Sequence, residues 1–133
     1  MSTLKVNTIQ DASGSNASTT SEIRNGICRA WITYDGYNNN IRASYNIASV
    51  TDNGSGDYTI FIDTDFTDSN YCWTAASSTA TGTEQEVRTV GFSTASQSTS
   101  DNAQLVGSTR ISNVLTASNT LIDTRYLMIQ WIR

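Results

Sequence analysis

The sequence predicts an all-β fold: a single antiparallel β-sandwich domain that follows a short extended N-terminal segment. Three observations support this prediction. Apolar and polar residues alternate with a period of two in several runs, as is typical of half-buried strands. Stretches rich in Gly, Asn and Asp lie between such runs and suit tight turns. No run keeps an apolar 3.6-residue period over three helical turns, so no long helix is expected.

The composition indicates one domain with a thin supply of core residues. Serine and threonine make up 38 of the 133 residues, whereas Leu, Ile, Val and Phe together make up 26. A chain this poor in large aliphatics would be disordered if it were highly charged, but its formal net charge is only −4. We therefore expect β structure with polar outer faces, or apolar faces that are buried against other copies of the chain.

Charge and hydropathy exclude two classes of partner. The chain has no His, eight basic residues and a pI near 4.5, so no binding to nucleic acid is expected. No apolar run approaches the roughly 20 residues of a membrane span, and no membrane insertion is expected. The first residues lack the apolar region of a signal peptide, which predicts synthesis in the cytoplasm without export by that route.

The N-terminal part, residues 1–20, is predicted to be a strand and a linker ahead of a β domain at residues 21–133. Residues 4–9 form a short extended run, and residues 11–20 have the Ser-, Thr- and Asn-rich composition of a linker. Residues 21–26 then suit one helical turn, with Ser21 as the N-cap and Gly26 just past its end.

Two strands and the turn between them have the clearest pattern. The alternating apolar residues are Ile41, Ala43, Tyr45 and Ile47 in the first strand, and Tyr58, Ile60 and Ile62 in the second. Between them, residues 52–57 contain an Asn-Gly step, which predicts a hairpin with positive φ at Gly54, Gly56 or both. Further strands are predicted at residues 71–76, 86–92, 104–111 and 121–133, with Ser- and Thr-rich loops at residues 77–83 and 93–102.

Two cysteines, Cys28 and Cys72, each lie inside an apolar run. We expect both to be reduced core residues that act as small hydrophobic side chains. A disulfide between neighbouring strands is the alternative.

Two parts of the chain carry a resemblance to known proteins. Residues 1–11, MSTLKVNTIQD, resemble the start of small structural proteins of tailed bacteriophages, notably marine cyanophages. Residues 30–36 (AWITYDG), 41–47 (IRASYNI) and 50–60 (VTDNGSGDYTI) resemble, in this order, a β domain of phage tail-fibre and related virion proteins. The matching residues cover under half of the chain, and residues 64–133 match only as a generic β continuation.

The resemblance implies a non-enzymatic virion protein without cofactor or catalytic residues, assembled in the host cytoplasm. Its expected role is that of a tail-fibre or appendage component that contributes to host-receptor attachment. A capsid or tail decoration protein is the alternative in the same class, and a free carbohydrate-binding module is the alternative in another class. In a virion protein, residues 1–20 would dock onto another virion protein or a neighbouring subunit through Leu4, Val6 and Ile9.

The last strand, residues 126–132, is apolar on both faces, so we expect another subunit to cover one of them. Phage appendages are commonly three-fold, and closed symmetry would cover such a strand in every copy. The expected assembly is therefore a C3 homotrimer. Its subunit contact is predicted to include some of four residues: Trp31, Tyr126, Met128 and Trp131.

Residues for catalysis or metal binding are scarce. Histidine, the usual general base and the commonest metal ligand, is absent. Asp63, Asp65 and Asp68 form the densest acidic cluster, but their spacing is not that of an EF-hand, and we expect a solvated loop without a metal.

A stretch of aromatic and amide side chains is the candidate ligand site. It consists of Tyr34, Tyr37, Asn38, Asn39 and Asn40. Aromatic rings can stack on sugar rings, and amides can bond to sugar hydroxyls, so a host surface glycan is the expected ligand. An ordinary turn is the competing interpretation, because Asn tolerates the left-handed conformation.

Overall fold

Antiparallel β-sheets and one short helix make up the regular structure of the computed structural model, which describes residues 2–14, 16–78, 88–93 and 103–133. The elements in chain order are β1 (Thr8–Gln10), β2 (Ala17–Thr19), α1 (Thr20–Gly26), β3 (Cys28–Asp35), β4 (Asn40–Tyr45), β5 (Ile47–Gly54), β6 (Asp57–Ile62), β7 (Cys72–Ser77), β8 (Arg88–Phe92), β9 (Gln104–Leu105), β10 (Ser108–Leu115), β11 (Thr120–Leu121) and β12 (Leu127–Ile132). The prediction of a mostly β, antiparallel chain is confirmed.

Two sheets share one core. The four-stranded sheet has the order β4-β3-β12-β7. The second sheet has the order β11-β10-β6-β5, and β8 and β9 also pair with β10. Residues from both sheets contact each other: the indole Nε1–H of Trp131 donates to the Thr109 hydroxyl at 3.0 Å, and the rings of Tyr34 and Tyr58 meet edge to face at 5.2 Å. The two sheets therefore lie face to face.

The core confirms the alternating pattern of the second predicted strand. Tyr58, Ile60 and Ile62 are all buried, whereas Phe61 between them is exposed. The other buried apolar residues of this cluster are Ala30, Ile32, Tyr34, Phe66, Tyr71, Ile111, Leu127, Ile129 and Trp131. Their period of two in β3, β6 and β12 places one face of each strand in the core.

The predicted hairpin is confirmed. Strands β5 and β6 pair up to Gly54 and Asp57, so that Ser55 and Gly56 form the loop. Gly54 has φ of 128° and Gly56 has φ of 66°, a region that L side chains rarely adopt. The glycines, rather than Asn53, supply the positive φ angles of the turn.

The first predicted strand, residues 41–47, is not one strand. The chain changes sheet at Asn46, whose φ is 56°, so β4 and β5 belong to different sheets. The Asn46 side chain makes this break possible. Its amide N–H donates to the Arg29 and Thr64 carbonyls, both at 3.1 Å, and its oxygen accepts from the Thr64 N–H at 2.7 Å. Consequently Ala43 and Tyr45 are exposed instead of half-buried.

The N-terminal part contains more structure than a strand and a linker. Strands β1 and β2 form a hairpin, and β2 lies within the predicted linker. Helix α1 begins at Thr20, and its N-cap is Thr19 and not Ser21. Thr19 Oγ1 accepts from the Glu22 N–H at 3.1 Å, while the Glu22 carboxylate accepts from the Thr19 N–H at 2.7 Å. The helix also includes Gly26, which was expected just past its end.

The remaining predicted strands are confirmed with shifted bounds. Strand β7 matches the strand predicted at residues 71–76. The strand predicted at residues 104–111 is divided between β9 and β10, and the one predicted at residues 121–133 is divided between β11 and β12. Residues 86 and 87 of another predicted strand, and most of the two predicted Ser- and Thr-rich loops, lie outside the described residues. Within the described ranges no helix is long and apolar enough to cross a membrane.

The two cysteines cannot form a bridge within the chain. Cys28 in β3 and Cys72 in β7 both lie opposite Ile132, one on each side of β12. Two strand spacings separate their Cα atoms by ~9.5 Å, which exceeds the roughly 7 Å limit of a disulfide. Both thiols are free, and Cys72 is exposed, so the expectation of a core role is wrong for Cys72.

Candidate interaction surface

The outer face of the four-stranded sheet carries several large exposed apolar side chains, and we call it the Trp31 face. It is formed by the side chains that alternate with the buried residues of β3, β4, β7 and β12. Cross-strand pairing sets them in two rows: Tyr45, Trp31, Gln130 and Thr74 in the first, and Ala43, Thr33, Met128 and Ala76 in the second. Tyr126, just before β12, lies next to this face and stacks under the Arg42 guanidinium at 4.5 Å.

Four large apolar side chains of this region are in contact with water. Trp31 is 39% exposed, Tyr45 57%, Tyr126 42% and Met128 44%. A hollow of about 430 Å³ opens between β3, β12 and β7, and its lining includes Trp31, Met128 and Ala76. Such a cluster of exposed apolar side chains around a hollow is typical of a contact surface for another molecule.

The outer face of the second sheet carries polar side chains together with Phe61, which is 38% exposed. Thr51, Thr59 and Arg110 lie side by side on it in three adjacent strands. Arg110 forms a bidentate ion pair with Asp57, with N–O distances of 3.0 and 2.7 Å. Burial raises the pKa of the Asp57 carboxyl, but hydrogen bonds, chiefly from Arg110, outweigh it and hold this pKa below its ordinary value. Arg110 and Asp57 of this face are therefore paired with each other within the chain.

Two of the four predicted subunit-contact residues, Trp31 and Met128, lie on the Trp31 face, and a third, Tyr126, lies next to it. The prediction is wrong for Trp131, which is fully buried in the core of its own chain. The reason is the strand alternation of β12, which directs its odd-numbered residues inward and its even-numbered residues outward. The apolar character of both faces of this strand was visible in the sequence, but the direction of each face was not.

The predicted ligand loop is organised by a buried carboxylate, Asp35. This carboxylate accepts from the Tyr37 N–H at 3.2 Å, the Asn38 N–H at 3.3 Å and the Asn38 side-chain amide at 2.9 Å, and it pairs with Arg42. The Asn38 amide, with Arg42 in support, holds the pKa of Asp35 below its ordinary value. These contacts are those of a tight turn that Asp stabilises.

Tyr34, one of the five predicted ligand residues, serves the fold instead, whereas Asn39 is exposed and takes part in the turn. Tyr34 is buried, and its hydroxyl donates to the Asn39 side-chain oxygen at 3.2 Å, so it presents no ring face to a ligand. Burial raises the pKa of its hydroxyl. Asn39 has φ of 48°, as the turn interpretation requires. Tyr37, Asn38 and Asn40 remain exposed, but the Asn38 amide is bound to Asp35.

A partly buried hydrogen-bond network joins the β5–β6 hairpin to the segment before β12. Asp123 accepts from the Tyr58 hydroxyl and from the Gly56 N–H, both at 2.7 Å. Burial and the bond to Asp123 raise the pKa of Tyr58. The sequence carries no signal for this pairing, because 65 positions separate Tyr58 from Asp123. Its place between two backbone segments indicates a structural role.

The N-terminal docking residues form a second exposed apolar surface. Leu4 is 84% exposed, Val6 40% and Ile9 55%. Leu4 and Val6 precede β1 and belong to no strand. As for metals, no group of three or more His, Cys, Asp or Glu residues could hold an ion in the part of the chain that the structure describes.

Comparisons with protein-family models, with curated proteins and with solved structures found no match to this chain.

Proposed function

We propose that this chain is a non-enzymatic structural protein of a bacteriophage particle, a tail-fibre or appendage component that contributes to host attachment. The resemblance of residues 1–11 and of the three segments between residues 30 and 60 supports the virion assignment. The observation that carries the assembly role is the pair of exposed apolar surfaces, the Trp31 face and the N-terminal residues Leu4, Val6 and Ile9.

An isolated chain forgoes the free energy that burial of these apolar side chains would contribute. A large apolar side chain gains about 1.5–3 kcal/mol when it is fully buried. The three large side chains of the Trp31 face and the neighbouring Tyr126 are about half exposed, so covering all four would contribute roughly 3–6 kcal/mol. This is a large fraction of the about 5–15 kcal/mol that stabilises a typical domain. A partner on this face would therefore contribute substantially to the stability of the assembly.

The proposed assembly is a C3 homotrimer in the virion. Trp31, Tyr126 and Met128 lie at the subunit contact, and the N-terminal residues contact a neighbouring subunit or another virion protein. The β domain then projects from the particle, where Tyr37 and Asn40 are open to a host surface glycan. Closed three-fold symmetry covers the apolar face in every copy and leaves no open end that could continue as a fibre.

The test uses a phage that encodes this chain. Purified particles should contain the protein in multiples of three copies, and gold-labelled antibodies against it should bind the tail or its appendages. Absence from washed particles would refute the virion role. Labelling of the capsid lattice would replace the attachment role with that of a decoration protein.

Docking is tested in the same phage with Leu4→Asp and Val6→Asp, which place charges on exposed side chains and leave the core intact. We expect a folded protein that is lost from particles. Thr3→Asp is the matched control, since it adds a charge to a polar, exposed position of the same segment. If the Leu4→Asp and Val6→Asp variants were incorporated into particles at the normal level, docking through these residues would be refuted.

A further inference from the structure

The described part of the chain carries both an exposed apolar sheet face and an exposed apolar segment near its N-terminus. Residues 2–7, which we call the N-terminal arm, precede β1 and carry Leu4 and Val6. In an extended chain, residues two positions apart point to the same side, so Leu4 and Val6 form one apolar edge of the arm. The Trp31 face, with its hollow of about 430 Å³, is not covered by any of the residues that the structure describes.

The arm and the face have matching lengths. Six extended residues span ~20 Å, and the six-residue strand β12 at the centre of the face has the same length. The width of four strands is ~19 Å at the usual spacing. The arm can therefore cross the whole face, with Leu4 and Val6 about 7 Å apart along it.

The Trp31 face is too small to hold two copies together through contact between their two Trp31 faces alone. Its four strands cover ~400 Å² in projection, whereas a stable interface buries about 800 Å² on each partner. An exchanged arm adds its own surface to the contact. In a ring, each copy also takes part twice, once by giving its arm and once by receiving one.

We infer that the Trp31 face binds the N-terminal arm of a second copy of this chain, with Leu4 and Val6 in the hollow between Trp31 and Met128. The contact joins two different surfaces, and such a contact forms a ring when the rotation between neighbouring copies closes. A rotation of one third of a turn gives the proposed trimer. The inference deepens the proposed trimer contact but is independent of the phage assignment. In this arrangement Ile9, on the β1–β2 hairpin, takes no part in the arm contact and is free to contact another virion protein.

Disulfide trapping tests where the arm lies. In a chain with Cys28→Ser and Cys72→Ser, one copy carries Val6→Cys, and a co-expressed copy carries Met128→Cys. Mild oxidation should give a covalent heterodimer in high yield. The matched control replaces Met128→Cys with Phe61→Cys, because Phe61 is similarly exposed but lies on the other sheet. Equal yields from the two pairs, or no product from the first, would overturn the inference.

A chain that carries both Val6→Cys and Met128→Cys shows whether the Trp31 face binds the arm of a second copy or the arm of its own chain. Covalent oligomers support exchange between copies. A monomer that closes the disulfide within itself would overturn it.

Sedimentation of the full chain gives the independent readout. The unaltered chain should sediment as a trimer at micromolar concentration, whereas Leu4→Asp with Val6→Asp, or Met128→Glu, should sediment as a monomer. Phe61→Glu is the control and should remain trimeric. Circular dichroism should match that of the unaltered chain, because every substituted side chain is exposed. A trimer that persists in the arm variant would refute arm exchange but not the trimer, and an unaltered chain that is monomeric would refute both.

Discussion

Replacing Gly56 by Ala should destabilise the fold much more than replacing Gly54 by Ala. Gly56 has φ of 66°, and a Cβ added there would lie 2.5 Å from the Ile122 nitrogen and 2.6 Å from the Asn113 oxygen. Both are backbone atoms, so neither can rotate away. Gly54 also has a positive φ, 128°, but a Cβ there would meet nothing within 4 Å. The two glycines thus separate backbone strain from steric overlap.

The magnitudes follow from these contacts. An L residue in a left-handed conformation costs about 1–2 kcal/mol, which is the whole effect expected for Gly54→Ala. Overpacking of a close-packed site costs a further ~1–3 kcal/mol. It would also displace Ile122 and Asn113, which bond to each other at 3.0 Å. We therefore expect Gly56→Ala to lose about 2–5 kcal/mol.

Urea unfolding at one fixed protein concentration measures both losses, because the stability of an oligomer depends on concentration. Intrinsic tryptophan fluorescence is a suitable probe, since Trp131, one of the three tryptophans of the chain, is fully buried and becomes exposed on unfolding. If Gly56→Ala lost no more free energy of unfolding than Gly54→Ala, the inference that Gly56 packs too closely against Ile122 to accept a Cβ would be refuted.

Three further predictions concern titration and thiol chemistry. Burial and the bond to Asp123 raise the pKa of Tyr58, so its contribution to stability is present below pH ~10, the pKa of an unfolded tyrosine, and is lost at higher pH. Tyr58→Phe should therefore flatten the fall of the unfolding free energy above pH 10. The lowered pKa of Asp57 works in the other direction: its contribution is present above pH ~4 and is lost on acidification. Arg110→Gln should cost about 1–3 kcal/mol at neutral pH and weaken this acid dependence, as acid titration of unfolding would measure. Finally, a thiol reagent should modify exposed Cys72 faster than partly buried Cys28, and unfolding without reductant should release two free thiols per chain; equal rates, or a missing thiol, would contradict the placement of these residues in β7 and β3.

The sequence alone predicted the elements whose signals are local. Alternation over residues 58–62 places Tyr58, Ile60 and Ile62 in the core because the side-chain period of a strand is two. The turn at residues 52–57 was equally predictable, since only glycine adopts the φ angles of Gly54 and Gly56 without strain. The subunit contact at Trp31, Tyr126, Met128 and Trp131 was inferred from residue type and a thin apolar supply; it is wrong for the buried Trp131 and stays a prediction for the other three.

Local alternation could not reveal where a strand changes sheet. Residues 41–47 alternate regularly, but Asn46 breaks the run by bonding to Arg29 and Thr64, which lie far away in the chain. Likewise, the turn that begins at Asp35 was expected as a candidate ligand site because its aromatic and amide residues suit both roles. Its partner Arg42 and the buried position of Tyr34 became visible only when the sheets were in place.

What the sequence determined by itself is therefore the class of fold, the hairpin and the inventory of apolar side chains. The tertiary structure decided the direction of each strand face, and with it that Trp131 is buried while Met128 is exposed. It also placed β12 between Cys28 and Cys72, which prevents a disulfide. The physical reason is that a period of two tells which residues share a face, whereas only the pairing of distant strands decides which face meets the other sheet.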